Sequence, residues 1–208
     1  MDWQAMLSGF LGGILAALLV MFLFPSDNCT SNDFSATILK IGNVPIASIP
    51  RTAEIVYKNS SVANKLKHLK EQGSAYIFQS CVRGSEIAQE RHFQEAFEKT
   101  LIEISMFLNS SVKSVTLYEK YQNKEFFNKV SEVLSSSVTA GSQVIVKYKY
   151  IDGVLGYNFC VVTLYDPQEA FKARSIQERL KNISQKYGVN WENLVKELQD
   201  AMKENYGK

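Results

Sequence analysis

Basic residues are missing from the first 39 positions; the first Lys or Arg of the chain is Lys40. That absence removes the charged n-region with which a secretory signal peptide begins, and with it the flanking charges from which membrane orientation is ordinarily read. Histidine is almost as scarce. His68 and His92 stand alone, and the three cysteines, Cys29, Cys81 and Cys160, follow no metal-ligand spacing, so neither a metal nor a cofactor is expected. At most one disulfide can form, between Cys81 and Cys160 if their strands are neighbours; because both lie in apolar runs, buried free thiols are the expected state. An excess of one charge sign is lacking too. The 23 basic residues against 21 acidic leave +2, with the lysines spread along the chain, which gives no electrostatic case for a nucleic-acid partner.

What is present first is an uncharged run, Ala5 to Phe24. As a helix it would rise ~30 Å, about the hydrocarbon thickness of a bilayer. Pro25, Ser26, Asp27 and Asn28 stop it, and Trp3 lies where an interfacial aromatic belongs. No A-x-A-like cleavage site follows, and Cys29 is preceded by Ser26, Asp27 and Asn28 instead of the small residues of a lipid-modification site. The expected reading is a short head (1–4) and a retained transmembrane helix (5–24) with the lipid bilayer as its first partner. Gly9, Gly13 and Ala17 recur every four residues, the spacing with which two membrane helices approach closely. These three are the expected helix–helix contact residues.

Beyond the anchor about 180 residues remain, enough for one domain. Residues 25–72 read as a tether and N-terminal extension, with Pro45 and Pro50 around Ile46, Ala47 and Ile49 and a short helix over Val62 to Gln72. Ser74 to Arg83 reads as a strand between Gly73 and Gly84. A helix then starts near Ser85 and Glu86, with Phe93, Phe97, Leu101, Ile104 and Leu108 on one face. A second carries Phe126, Phe127, Val130, Val133 and Leu134.

Val144 to Ile151 and Tyr157 to Tyr165 form the expected hairpin. In its first arm Val144, Val146, Tyr148 and Tyr150 should share a covered face while Lys147 and Lys149 face water. The second arm, apolar on both sides, should be the more central. Asp166 and Pro167 begin a helix, and residues 168–208 add amphipathic C-terminal helices through Ile176, Leu180, Leu194, Leu198 and Met202. The expected class is therefore α+β: an N-terminal transmembrane helix, then strand, helix, helix, strand, strand and helix over 73–167.

No reaction is legible. His92 with Cys81 would be a nucleophile pair without an orienting third group, so no catalytic residue is assigned, no small-molecule substrate is identified and a non-enzymatic protein is expected. The alternatives are an anchored thiol-dependent enzyme using Cys81 or Cys160, and a monomeric tethered binding domain. Acceptor triplets at Asn28, Asn59, Asn109 and Asn182 keep a glycosylated secretory reading open.

Two stretches carry a resemblance: GSAYIFQSCVRGSEIAQERHFQEAFEKTLIEISMFLNSSVKSV, with Ala88, Ala96 and Leu101 on its helix, and VSEVLSSSVTAGSQVIVKYKYIDGVLGYNFCVVTLYDP. Together, over about Gly73 to Pro167, they resemble the Helicobacter membrane-associated lipoprotein family, which includes flagellar accessory proteins and is similar in fold to the tumour-necrosis-factor-inducing protein. The resemblance implies a bacterial envelope domain outside the cytoplasm that acts by assembly or binding, as a homo-oligomer or within a larger flagellar or secretion-related complex. Members are commonly lipid-anchored at an N-terminal cysteine. Here a spanning helix takes that place, which implies a single-pass inner-membrane protein with its large domain in the periplasm.

Overall fold

The computed structural model describes residues 36–114, 123–152 and 156–206. The expected span over residues 5–24, with Gly9, Gly13 and Ala17, lies outside them. Among the described residues no helix is long and apolar enough to cross a membrane.

In chain order the elements are β1 (Ala36–Ile41), β2 (Val44–Pro50), β3 (Glu54–Lys58), α1 (Ala63–Glu71), β4 (Tyr76–Gly84), α2 (Gln89–Val112), α3 (Lys124–Gly141), β5 (Ser142–Ile151), β6 (Tyr157–Tyr165), α4 (Pro167–Lys172), α5 (Arg174–Lys186) and α6 (Trp191–Asn205). The class is α+β, and the order from β4 to α4 is the one the periodicities predict. The extension is more than a tether. From Ala36 onward the chain belongs to a single unit, in which β1 and β2 pair as an antiparallel hairpin and β3 joins the main sheet.

That sheet is antiparallel throughout, in the order β3-β5-β6-β4. Strand β6, YNFCVVTLY, has no charge to hydrate and is buried from Phe159 to Tyr165, which demands pairing on both edges and cover on both faces. On one face Phe159 and Val161 meet Phe93 and Ala96 of α2. On the other, Cys160, Val162 and Leu164 meet Val62, Leu66 and Leu69 around α1 and Leu39, Ile41 and Ile49 of the β1–β2 hairpin. The largest cluster joins α2, α3, α5 and α6 through Leu108, Leu134, Leu180 and Leu198, with Tyr76 and Tyr165 reaching it from the strands. The apolar faces of the C-terminal helices are thus spent on the domain itself.

Two details depart from the periodic reading. A register shift between Val144 and Val146 adds a residue to β5. It buries Ile145 and Val146 together and returns Val144 to the α2 side with Phe93 and Phe159, so Val144 does not share a face with Val146, Tyr148 and Tyr150. The lysine face is also not wet: the amino-terminal end of α2 covers it, and Lys149 is only 7% exposed. Asp166 behaves as expected. Its carboxylate accepts from the N–H groups of Gln168 and Glu169 at 2.9 and 3.4 Å and pairs with Lys65 at 2.9 Å, tying α1 to the start of α4.

Leu134 is fully buried in the helical cluster. Leu134→Ala should cost ~2–5 kcal/mol, the transfer loss of the missing methyl groups plus the cavity left behind. Urea unfolding checks it; a loss below ~1 kcal/mol would mean the helices close over the gap and are not tightly seated.

Candidate functional site

The densest cluster of charge lies where α2 begins. Gly84 ends β4, and Ser85 stands at the N-cap position of a 3-10 turn over Glu86–Ala88 but makes no side-chain capping bond. The turn and the first turn of α2 bring Glu86 and Glu90 over β5. Lys149 Nζ donates to Glu86 Oε1 at 2.5 Å and lies 3.4 Å from Glu54 Oε2 of β3; Lys147 Nζ reaches Glu90 Oε2 at 3.1 Å. The lysines also stand over aromatic rings, Lys147 5.3 Å from the centroid of Phe93 and Lys149 5.4 Å from that of Tyr157. A recess of about 420 Å³ beside them is lined by Val56, Tyr57, Glu90, Val144 and Lys147.

The pairing has a geometric cause. Two residues along a strand advance ~6.6 Å, and the 3-10 turn with the first turn of α2 sets Glu86 and Glu90 in the opposite sense, so that Lys149 meets Glu86 and Lys147 meets Glu90. That match was the sequence signal for this cluster, missed because the lysines were given to solvent. Chemically the cluster is closed. Hydrogen bonding to Lys149, then its charge and a bond from Tyr157, hold the Glu86 carboxyl below the usual glutamate range, while Glu86 and Glu54 hold Lys149 above the usual lysine range. An ammonium so held is neither a base nor a nucleophile.

His92 lies on the same side. Its ring stacks on Phe159 with centroids 5.2 Å apart, and Nδ1 is 3.2 Å from Glu95 Oε2. It packs so closely over Gly84 that a Cβ there would overlap the imidazole, which is why that position carries no side chain. Cys81 faces the α1 side of the sheet. The sheet separates His92 from Cys81, so the nucleophile pair does not form.

Cys81 and Cys160 are opposite each other in the β4–β6 register and are joined by a disulfide, with Cα atoms 4.1 Å apart. This corrects the expectation of two buried free thiols, since both sulfurs are consumed and no thiolate is left at either position. His68 is a surface residue near Gln72. Among the described residues no group of His, Cys, Asp or Glu could hold a metal ion.

Both edges of the sheet are guarded. β3 is five residues long, ends in Glu54 and Lys58, and has a register shift at Val56. β4 is sealed near its start by Tyr206, whose hydroxyl accepts from the Ile77 N–H at 2.5 Å and donates to the Ile77 carbonyl at 2.8 Å; further along, Lys99 donates to the Cys81 carbonyl at 3.4 Å. Exposed apolar side chains lie on strands, a turn and a helix: Ile38 of β1, Ile55, Val56 and Tyr57 of β3 and Ile151 of β5 are exposed, Ile87 is fully exposed, and Ile102 and Met106, one turn apart on α2, are 61% and 66% exposed. A second recess, of about 340 Å³, lies where the α1–β4 turn, the start of α4 and α6 meet.

Comparison of the chain with protein-family models, with curated proteins and with solved structures finds no match.

The charged cluster should make stability depend on pH in a defined sense. Glu86 is depressed, so its contribution is present above the ordinary glutamate pKa and is lost as pH falls through the lower folded value. Lys149 is raised, so its contribution is present below the ordinary lysine pKa and is lost as pH rises through the higher folded value. The difference in unfolding free energy between the native chain and Lys149→Met should therefore be flat through neutral pH and shrink at acid pH. A difference still constant at pH ~2 would show that the pair contributes nothing. Reducing the Cys81–Cys160 bridge, which closes a sequence separation of 79 residues, should cost ~2–4 kcal/mol. Urea midpoints with and without dithiothreitol measure it, and coincident midpoints would exclude a stabilising bridge.

Proposed function

We propose that this chain is a non-enzymatic, single-pass protein of a bacterial inner membrane, whose domain stands in the periplasm and acts by association with a second copy or with a larger flagellar or secretion-related assembly. The observation that carries the compartment is the disulfide. Such a bridge persists where the surroundings are oxidising and is rare where thiol reductants prevail, and the uncharged stretch from Ala5 to Phe24 supplies a way to hold a domain at such a membrane. The resemblance of Gly73 to Pro167 to the Helicobacter membrane-associated lipoprotein family supports the same placement.

The mode of association follows from what the surface leaves open. Capped and bulged edges oppose the addition of a further strand, and the hairpin and C-terminal helices bury their apolar faces internally. Ile38, Ile55, Val56, Tyr57 and Ile151 are exposed on strands, but Ile102 and Met106, one turn apart and flanked by Lys99 and Glu103, make the outer face of α2 the more exposed helical pair and the contact surface of this reading. The thiol-dependent enzyme has no support in the geometry, since its two cysteines are bonded to each other.

The compartment is tested in cells with a Cys29→Ser, Lys208→Cys variant and a membrane-impermeant thiol reagent. Labelling after outer-membrane permeabilisation alone is expected; labelling only after the inner membrane is broken would overturn the periplasmic placement. Association is tested by crosslinking in membranes. Dimers or higher species are expected with the native chain and should fall severalfold in Ile102→Asp/Met106→Asp, whereas crosslinks absent from the native chain, or unchanged in the variant, would overturn the α2 contact.

A further inference from the structure

The roof formed by α1 and the β1–β2 hairpin belongs to a stretch with an uneven share of the charge. Residues 36–72 hold six basic side chains, Lys40, Arg51, Lys58, Lys65, Lys67 and Lys70, against Glu54 and Glu71, a surplus of four where the whole chain carries +2. Neither acid neutralises the group. Glu54 is drawn to Lys149 of β5 at 3.4 Å, and Glu71 lies 4.0 Å from Lys67 with both side chains well exposed. Lys65 has a close partner in Asp166, whereas Lys40, Arg51 and Lys58 have no ion-pair partner among the described residues. Basic residues elsewhere are matched. On α5, Arg174, Arg179 and Lys186 pair with Glu178, Glu132 and Glu125 at 2.8, 2.9 and 3.1 Å, and α6 sets Glu192, Glu197, Asp200 and Glu204 against Lys196 and Lys203.

Helix and hairpin form one layer. Lys70 Nζ donates to the Pro45 carbonyl at 2.6 Å, and a Cβ on Gly42 in the hairpin turn would lie 3.4 Å from that of Ala63. Leu66 and Leu69 turn inward from α1, so Asn64, Lys67 and His68 face out. On β1, Leu39 and Ile41 are buried, which sets Ile38 and Lys40 outward together; Ile38 is 63% exposed. An exposed isoleucine among unneutralised lysines suits a bilayer surface of anionic lipids. The ammonium groups meet the headgroup phosphates, and the apolar side chain enters the boundary of the acyl region.

The chain that precedes β1 points to the same occupant. On the reading of residues 5–24 as a membrane span, on which this inference rests, residues 25–35 are all that separate the span from Ala36. Eleven residues reach at most about 40 Å when fully extended. The layer that follows is therefore held beside the bilayer at high effective concentration, where individually weak contacts suffice. We infer that the outer face of α1 and the β1–β2 hairpin seats the domain on the anionic surface of the bilayer that holds its anchor, with Lys40, Lys67 and Lys70 on headgroup phosphates and Ile38 at the acyl boundary. Helix α2 roofs the opposite side of the sheet, so this seating leaves Ile102 and Met106 free for association.

The test uses the full chain with Cys29→Ser and a donor fluorophore on Asn64→Cys, reconstituted in vesicles of phosphatidylcholine or of an equal mixture with phosphatidylglycerol, both carrying a headgroup-linked acceptor. Energy transfer should be at least about twofold higher in the anionic vesicles and should return to the phosphatidylcholine level in about 0.5 M NaCl. A donor on Gln94→Cys of α2 should show no such rise. Lys40→Glu/Lys67→Glu and, separately, Ile38→Asp should each reduce the rise severalfold; all three side chains are exposed. Transfer that ignores lipid charge, an equal rise at residues 64 and 94, or a rise untouched by the double variant would overturn the seating. Flotation in the same salt distinguishes this from failure of the anchor. A chain that floats with phosphatidylcholine vesicles yet shows no anionic rise keeps the anchor and loses the seating. One that floats only with anionic vesicles, and only at low salt, loses the anchor and keeps the basic face; flotation with neither removes both.

Discussion

The constraint on which the rest of the domain depends is the burial of β6 on both faces. A strand from Phe159 to Tyr165 with no charge and no wet side must pair along both edges and be roofed twice. Every other element is placed by one of those needs. β5 and β4 supply the pairing; α2 supplies one roof, and α1 with the β1–β2 hairpin supplies the other. The helices that follow extend the first roof into the larger cluster around Leu108, Leu134 and Leu198. The C-terminal helices are therefore structural, and the domain is not complete until α6 is in place.

Placing β6 inside pushes the exposed edges outward to β3 and β4, where the chain spends side chains on closing them. Tyr206 is the clearest case. The end of the last helix returns to the sheet and saturates both edge-directed groups of Ile77, using a residue 129 positions away in sequence. The same residue joins Tyr76, Phe78 and Phe107 in one aromatic group beside that edge.

The elements with long periodic patterns were legible in the sequence. The strand before α2, the two long helices, the hairpin and the Asp166–Pro167 start were all visible, because each rests on local spacing or local capping. The strands of the extension were not. They are short, and Pro45 and Pro50 pointed only to extended chain around Ile46, Ala47 and Ile49, not to its pairing; both prolines are tolerated because β2 pairs on one side only, in a two-stranded hairpin whose register shifts between Leu39 and Lys40, next to the Lys40–Pro45 pair. The extra residue in β5 has no local signature either. A single insertion is decided by which side chains fit between α2 and the hairpin, so Val144 could be placed only by tertiary packing. The lysines failed for a related reason: Lys147 and Lys149 alternate like a solvated face, and only the position of α2 turns that face into a buried pairing surface.

The disulfide shows how little a cysteine count decides without register. Two cysteines 79 positions apart in apolar strands are equally compatible with free thiols and with a bridge, and the choice turns on whether residue 81 faces residue 160 or its neighbour. A slip of one residue between β4 and β6 would carry one of the two cysteines to the opposite face of the sheet. The native register instead sets Ile77 opposite Leu164 and Val82 opposite Phe159, so side-chain burial on both faces selects the same alignment that brings the sulfurs together. The bridge therefore records a register the core already prefers. Its stabilising effect comes from denying the unfolded chain its freedom between β4 and β6, the two strands that enclose α2, α3 and β5 in sequence. Such a bridge persists where the surroundings keep thiols oxidised.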